Sequence, residues 1–336
     1  MANHKYIDVK ADLLSKIILG VFPPGTILPS ERELTLLFGM SRISIQHAIH
    51  CLQEEGYLRK GPQGEAILEC GNVNASNPHL AFISTVPNYF AQDLYRKIFV
   101  ALSMKCFMRN IPLYFLNMAT KTSTLPKQSF DAAFVAGYKV FPKPPLNSKR
   151  LVYIDNITPP PAFASVSTDY YAAGKLAAAK MYEYGYRNPA MLYVHESRSP
   201  AFIERERGFR DGCDEYGLEL HEMASSSTML KSIYFALLKM PENIDAIFVT
   251  YDYFAINAIM ALKRMGRRVP DDIAIIGFDG LDASAFLNPS LATLEHPVDA
   301  IASKAIELAM AEEEPSGIHL FTPCFKDGAS FPLHVK

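Results

Sequence analysis

The chain predicts an α/β protein: an N-terminal winged helix-turn-helix followed by a two-lobed module built on parallel sheets. Between residues 25 and 69, two short helical patterns meet at a lone glycine and run on into two short strand patterns. From His79 onward, apolar strand-like runs alternate with amphipathic helical ones, the pattern of parallel sheets covered by helices on both faces. The stretch from 79 to 336 is too long for one such sheet, so two lobes with a cleft between them are expected.

A first helix is predicted by the stripe Val9, Leu13, Leu14, Ile17, Ile18, which stops near Gly20 ahead of Pro23-Pro24-Gly25. The second starts at Ser30, because Ser30-Glu31-Arg32-Glu33 is a capping box in which Ser30 and Glu33 satisfy each other's backbone amides. Its inward residues are Leu34, Leu37 and Phe38, and Gly39 supplies the left-handed residue that ends it. Ser41 caps a third helix with the stripe Ile45, Ala48, Ile49, Leu52, which leaves Arg42, Ile43, Gln46, His47 and His50 on or near the opposite face. Tyr57–Lys60 and Glu65–Glu69 read as strands around the turn Gly61-Pro62-Gln63-Gly64, a wing. The domain therefore ends near residue 70, residues 71–78 form a small polar linker, and 79–336 form the second module.

The ordered run F-P-P-G-T-I-L-P-S-E-R-E-L, G-M-S-R, A-I and L-Q-E-E-G-Y-L resembles the N-terminal domain of GntR-type bacterial transcription regulators. The resemblance implies DNA contacts from Arg32, Arg42, Ser44, Gln46 and the wing tip Gln63-Gly64, with His47 joining them from the outward face of the third helix. Where many members carry an arginine in the recognition helix this chain has Ile45-Gln46, and a glutamine suits a bidentate contact with adenine in the major groove. Arg42 and Gln46 could alternatively be a solvated helix face. His47 and His50 have the spacing of a metal pair but no third ligand nearby in sequence, so no metal and no cofactor is expected.

Residues 1–70 hold seven Lys/Arg against eight Asp/Glu, a net charge of −1, which makes one copy a weak binder of phosphate backbone. Tight binding then needs two copies, hence a homodimer joined through the second module and a near-palindromic operator. No apolar run approaches the length of a membrane span and no signal peptide precedes the first helix, so a cytoplasmic protein without a membrane partner is expected. Five cysteines without a C-x-x-C pair fit reduced thiols.

In the second module, strands are predicted at Leu80–Val86, Leu113–Asn117, Ala132–Ala136, Leu151–Ile154, Ala164–Val166, Ala190–Val194, Ala246–Thr250 and Ile273–Gly277. Helices are predicted at Gln92–Met108, Tyr170–Tyr184, Ile203–Tyr216, Ile233–Met240, Tyr253–Met265 and Asp299–Ala311, while Met118–Phe130 is too short for a full helix. Asp169, Arg205, Asp252 and Asp279 all fall at strand ends or helix starts, where open α/β sheets bind ligands. Each of the three aspartates could instead cap a helix, and Arg205 could pair with Glu204 or Asp211 at the surface.

The motifs S-T-D-Y-Y-A-A-G, R-E-R-G-F, D-A-I-F-V-T-Y-D-Y-F-A, R-R-V-P-D-D-I-A-I-I-G-F-D-G and N-P-S-L-A-T-L-E-H-P occur in the order of the lactose/galactose-repressor family and its periplasmic sugar-binding relatives. The combination with the head is similar to arabinose repressors. The resemblance implies a periplasmic-binding-protein-like fold whose effector cleft is lined by Asp169, Arg205, Tyr251, Asp252 and Asp279, with Tyr89 and Phe90 covering the ligand. Tyr251-Asp252 replaces the Asn-Asp common in the family, a change beside the effector. Carboxylates, a guanidinium fork and aromatic rings suit a sugar. The implied function is a ligand-responsive repressor, not an enzyme: no phosphate-binding glycine motif, nucleophile elbow or H-E-x-x-H helix occurs. A purine- or other metabolite-dependent corepressor-type regulator and a transport-type sugar-binding protein are the alternatives.

Overall fold

The computed structural model describes residues 9–10, 12–13, 27–54, 57–61, 66–68, 78–86, 92–118, 129–137, 139–141, 143, 145–195 and 199–334. The expected wing tip, most of the first helix and of the linker, Tyr89, Phe90 and the stretch after Met118 lie outside them.

In the head, α1 (Glu31–Phe38) starts on the expected capping box: the Ser30 amide donates to Glu33 Oε2 at 2.7 Å and the Glu33 amide to Ser30 Oγ at 3.3 Å. Gly39 ends it at φ +59°. The helix α2 (Arg42–Glu54) follows, capped by Ser41, whose hydroxyl accepts from the Ser44 amide at 3.3 Å. The strands β1 (Leu58–Lys60) and β2 (Ala66–Leu68) pair antiparallel. Val9, Leu13, Leu34, Ile45, Ala48, Ile49, Leu52 and Leu58 form the head's core. Leu37 corrects the sequence reading: it was expected inward, but it is 63% exposed, because a helix of eight residues presents one narrow flank to this core and Leu34 fills it.

Beyond the head, the first sheet has the order β13–β7–β6–β5–β3–β4, from β3 (Leu80–Ser84), β4 (Leu113–Asn117), β5 (Phe130–Ala136), β6 (Ser148–Ile154), β7 (Ala164–Thr168) and β13 (Ile318–Phe321). The helix α3 (Asp93–Phe107) links β3 to β4. The second sheet has the order β14–β12–β11–β10–β8–β9, from β8 (Pro189–Val194), β9 (His221–Ser225), β10 (Ala246–Val249), β11 (Ala274–Asp279), β12 (Ala292–Glu295) and β14 (Cys324–Lys326). Its strands pair parallel except β12 with β14.

Period-two alternation puts this sheet between two helix layers. Phe248, Ile276 and Phe278 face α4 (Tyr170–Glu183) and α5 (Pro200–Glu215), while Ile247, Val249 and Ile275 face α6 (Leu230–Leu237) and α7 (Asp252–Arg264). The strands β9, β12, β13 and β14 were not predicted. They are short, and β9, β13 and β14 alternate or lack buried positions, so no apolar run marks them. The chain divides into two compact units, one of residues 1–89, 99–153 and 305–315, the other of residues 90–98, 154–304 and 316–336.

Candidate functional site

The second unit gathers a buried charged cluster around Arg205. On α5 the positions Arg205, Gly208, Phe209, Gly212 and Cys213 are buried at helical spacing, so the guanidinium is carried on the face that packs inward. The approach of α4 is close: a Cβ on Gly174 would overlap the Arg205 carbonyl and one on Gly208 the Tyr171 carbonyl. These two glycines bring Arg205 beside Tyr170. The surface alternative does not occur, because Glu204 pairs with Arg207 and Asp211 accepts from the Tyr171 hydroxyl.

The Arg205 side chain is 3% exposed, its Cζ 3.5 Å from the centroid of Phe278, 5.0 Å from Tyr170 and 5.1 Å from Phe202. One amino group donates to the Thr250 carbonyl, while Arg205 Nε and Thr250 Oγ1 are buried without a hydrogen-bond partner. Burial lowers the Arg205 pKa, opposed by the charges of Asp279, Tyr170 and Asp155. Buried donors and acceptors are normally paired, and here a nitrogen of the guanidinium that donates to the Thr250 carbonyl and the hydroxyl of that same threonine are both left unused.

Asp279 ends β11 at φ +125°, a conformation L-residues rarely adopt, and its Oδ1 lies 3.3 Å from His296 Nε2. The other ring nitrogen of His296 meets Thr168 Oγ1 at 2.7 Å, and its ring stands edge-on to Phe278 with centroids 4.7 Å apart. Asp155, just after β6, accepts from the Tyr170 hydroxyl and from Ser167 Oγ at 3.3 Å. Burial raises its carboxyl, with His296 and Tyr170 opposing; burial and the Asp155 charge push the Tyr170 phenol well above its ordinary value. Tyr251 lies edge-on to Phe202 at 5.6 Å, its phenol raised by burial against a hydrogen bond from Thr228.

The expected residues are thus placed in three ways. Arg205, Asp279 and Tyr251 fall in or beside the cluster. Asp169 caps α4, accepting from the Ala172 amide at 2.8 Å. Asp252 is fully buried in the first turn of α7 with its carboxylate taken up by other parts of the chain: it accepts from the Leu281 amide at 2.9 Å, Thr293 Oγ1 at 2.8 Å and Ser284 Oγ at 3.3 Å. It therefore holds the turn that carries Asp279. Gly277 permits this, since a Cβ there would overlap Asp252 Oδ1. His296, Asp155 and Tyr170 were missed by the sequence reading. His296 and Tyr170 stand inside quoted motifs and Asp155 directly follows a predicted strand, which was the available signal.

Burial and the nearby Asp279 charge raise the Asp252 carboxyl from 3.8 to about 8. The folded chain then holds a proton that the unfolded chain releases, so this group's contribution to stability is complete below about pH 4 and declines as pH rises toward 8. Urea midpoints measured across that window should fall for the parent and flatten for Asp252→Asn. An equally steep decline in the variant would overturn the assignment.

The head presents the other candidate surface. Arg42 Nε donates to Glu31 Oε2 at 2.9 Å and Gln46 Nε2 donates to the same oxygen at 2.8 Å, so one carboxylate of α1 holds both side chains on the exposed face of α2. Arg32 and His47 are exposed, and the Ser44 hydroxyl is 3.0 Å from that of Ser41. Glu31 was missed, because the capping box accounts for it as a first-turn acid. Among the described residues no group of three His, Cys, Asp or Glu is placed to hold a metal, and no helix is long and apolar enough to cross a membrane.

Residues 5–64 match the model of bacterial regulatory proteins of the gntR family, and residues 178–317 that of the periplasmic binding protein-like domain. The chain is 30% identical over 153 residues to the ribose operon repressor of Halalkalibacterium halodurans, covering 44% of this chain and 45% of that one. It spans less than half the length of the curated relatives it matches first. Among solved structures, a LacI family transcriptional regulator from Enterococcus faecium with bound ribose superposes with a TM-score of 0.61 at 17% identity, over 76% of this chain and all of that one. One from Arthrobacter in complex with lactose gives 0.60 at 17%, with the same coverage of each. The chain therefore joins a gntR-family regulatory head to a module of the periplasmic binding protein-like fold seen in LacI family regulators.

Proposed function

We propose that the protein is a sugar-responsive transcription repressor, released from its operator when a sugar occupies the site around Arg205 and Asp279. The observation that carries this is the buried pair of unpartnered polar atoms, Arg205 Nε and Thr250 Oγ1, set among the rings of Phe278, Tyr170 and Phe202. A guanidinium donates to two hydroxyl oxygens at once, Asp279 accepts from hydroxyls, and rings cover the apolar face of the ligand. Tyr251, edge-on to Phe202, and Asp169, just after β7, would add polar groups to the site, with Tyr89 and Phe90 assigned by resemblance. In this reading Asp252 acts through the turn it holds. The ribose repressor among the relatives and the ribose- and lactose-bound neighbours support a sugar as the class of effector.

Repression requires operator DNA, which the recognition surface of Arg32, Arg42, Ser44, Gln46, His47 and the wing residues Gln63 and Gly64 would contact in the cytoplasm. A homodimer on a near-palindromic operator is supported by exposed apolar side chains: Val100 and Met104 stand four residues apart on α3 with Met108 just after it, Phe235 is exposed on α6 with Leu238 as its C-cap, and Tyr253 and Met260 are exposed on α7. The domain plan of 1–70, 71–78 and 79–336 assigns reading to the head and sensing to the rest.

The test is a thermal-shift screen of D-ribose, L-arabinose, lactose and purines, followed by operator binding with and without each hit. A sugar at 100 times its dissociation constant stabilises by about 2.7 kcal/mol and should release the operator, which is selected from a random duplex pool. Stabilisation by a purine alone, or operator binding strengthened by the hit, would refute the reading.

A further inference from the structure

Next to Asp279 lies a second charged cluster, in which α3 reaches into the turn that follows β11. Lys97, in the second turn of α3, donates to the Gly280 carbonyl at 2.6 Å. Its ammonium is also 2.9 Å from Asp93 Oδ2, 2.9 Å from Asp282 Oδ1 and 4.0 Å from Glu295 Oε1. Arg96 closes the arrangement, pairing with Asp282 Oδ2 at 3.1 Å and with Asp93. Exposed pairs along one helix contribute little, but the Lys97 side chain is only 18% exposed and bridges two elements distant in sequence. Gly280 stands at φ +70° and a Cβ there would collide with the Glu295 side chain, so the turn is specific to glycine.

From the sheet side the same turn is held by Asp252 on the Leu281 amide, by Thr293 on the Gly280 amide at 3.2 Å and by His296 on Asp279. Lys97 alone among these comes from α3, a helix that begins in the second compact unit and continues into the first from Phe99. Burial lowers the Lys97 pKa, but hydrogen bonds and charges of Asp282 and Asp93 outweigh it and leave a net rise, while Lys97 draws the Asp282 carboxyl down.

We propose that Lys97 is a positioning residue for the effector carboxylate: by holding the Gly280 carbonyl it aims Asp279, and with Asp93, Arg96 and Asp282 it forms an ionic latch between the start of α3 and the effector-bearing turn. The aiming of an effector carboxylate rests on the function proposed above; the latch does not. Linkage makes the relation reciprocal, so whatever ordering a ligand imposes on Asp279 is passed to α3 and the reverse.

The experiment compares the full chain with Lys97→Met, which keeps the stem and removes the charge, with Lys97→Arg, and with Asp282→Asn. Hydrogen exchange read by mass spectrometry on peptides spanning 279–286 needs no ligand. Lys97→Met should speed exchange there about tenfold, with Ile247–Val249 of β10 unchanged, Asp282→Asn should act in the same direction, and Lys97→Arg should restore most of the protection. Exchange within twofold of the parent, or an equal acceleration in β10, would overturn the latch. In a second arm, D-ribose, L-arabinose and lactose are titrated by calorimetry. The sugar bound by the parent should bind Lys97→Met at least fivefold more weakly and Lys97→Arg nearly normally. Unchanged affinity beside accelerated exchange would overturn the positioning role, whereas a parent that binds none of the three sugars would count against the effector reading and leave the latch to be judged by exchange.

Discussion

Arg205→Ala is expected to bind operator like the parent and to ignore the effector sugar, a permanently repressing variant. The side chain donates within the chain to the Thr250 carbonyl and keeps Nε unused, stacked on Phe278. Hydrogen bonds to charged groups are worth about 1.5 to 3 kcal/mol each, so losing a fork that serves two ligand oxygens should weaken the sugar about 100-fold or more. That lies at or above the upper part of the roughly 5- to 150-fold coupling typical between an effector site and a second site, so release should fail at sugar concentrations that release the parent. The substitution also removes a buried group packed between three rings and leaves Asp279 and Asp155 with less compensation, so a drop in melting temperature accompanies it. Arg205→Lys separates the two effects: it keeps the charge but loses the planar fork, and should fold better while still binding sugar at least tenfold more weakly. Calorimetric titration and operator binding on all three proteins decide the matter. Parental sugar affinity in Arg205→Ala would remove Arg205 from the site, and loss of operator binding together with sugar binding would mean a misfolded variant.

What could be read from residues alone follows the range of the interactions. The Ser30–Glu33 box, the Gly39 stop and the Ser41 cap are contacts within a few residues, and the structure has all three. Arg205 was visible because it stands near the start of a predicted helix and inside the motif R-E-R-G-F; its burial follows from the inward line it shares with Gly208, Phe209 and Gly212, which only the structure shows. Asp252 shows the limit. A carboxylate after a strand reads equally as cap or ligand, and what settles its surroundings are donors at 281, 284 and 293, brought in by the sheet order rather than by anything near it in sequence. His296 lay between Glu295 and Pro297 with no periodic signal, and its partners Thr168 and Asp279 come from strands of two different sheets. Leu37 failed for the opposite reason: helical periodicity was right, but the core it was to join covers too narrow an arc.

Arg42→Ala and Gln46→Ala should each weaken operator binding by about 1 to 3 kcal/mol, five- to 150-fold, and leave sugar binding untouched, since the sensing residues lie in another part of the chain. The two losses should differ in kind. Gln46 presents an amide that pairs with adenine, so its loss should relax preference at one base position. The Arg42 loss should also lower the dependence on salt, because a cation leaves the interface. Glu31 makes the pair interdependent. Both side chains donate to one of its oxygens, so truncating either loosens the carboxylate that orients the other, and the double variant should lose less than the sum of the singles. With Arg42 and Gln46 at the base edges the same carboxylate would lie beside the phosphates, and a head with a net charge of −1 has little cationic surface to spare. Glu31→Ala should therefore strengthen binding to random duplex severalfold while discrimination between operator and random duplex falls, as two freed side chains search for phosphate instead of base edges. Fluorescence anisotropy titrations of each variant at two salt concentrations read all these quantities. Operator affinity unchanged in both single variants would remove α2 from the reading surface, and strict additivity in the double variant would show that Glu31 orients neither side chain.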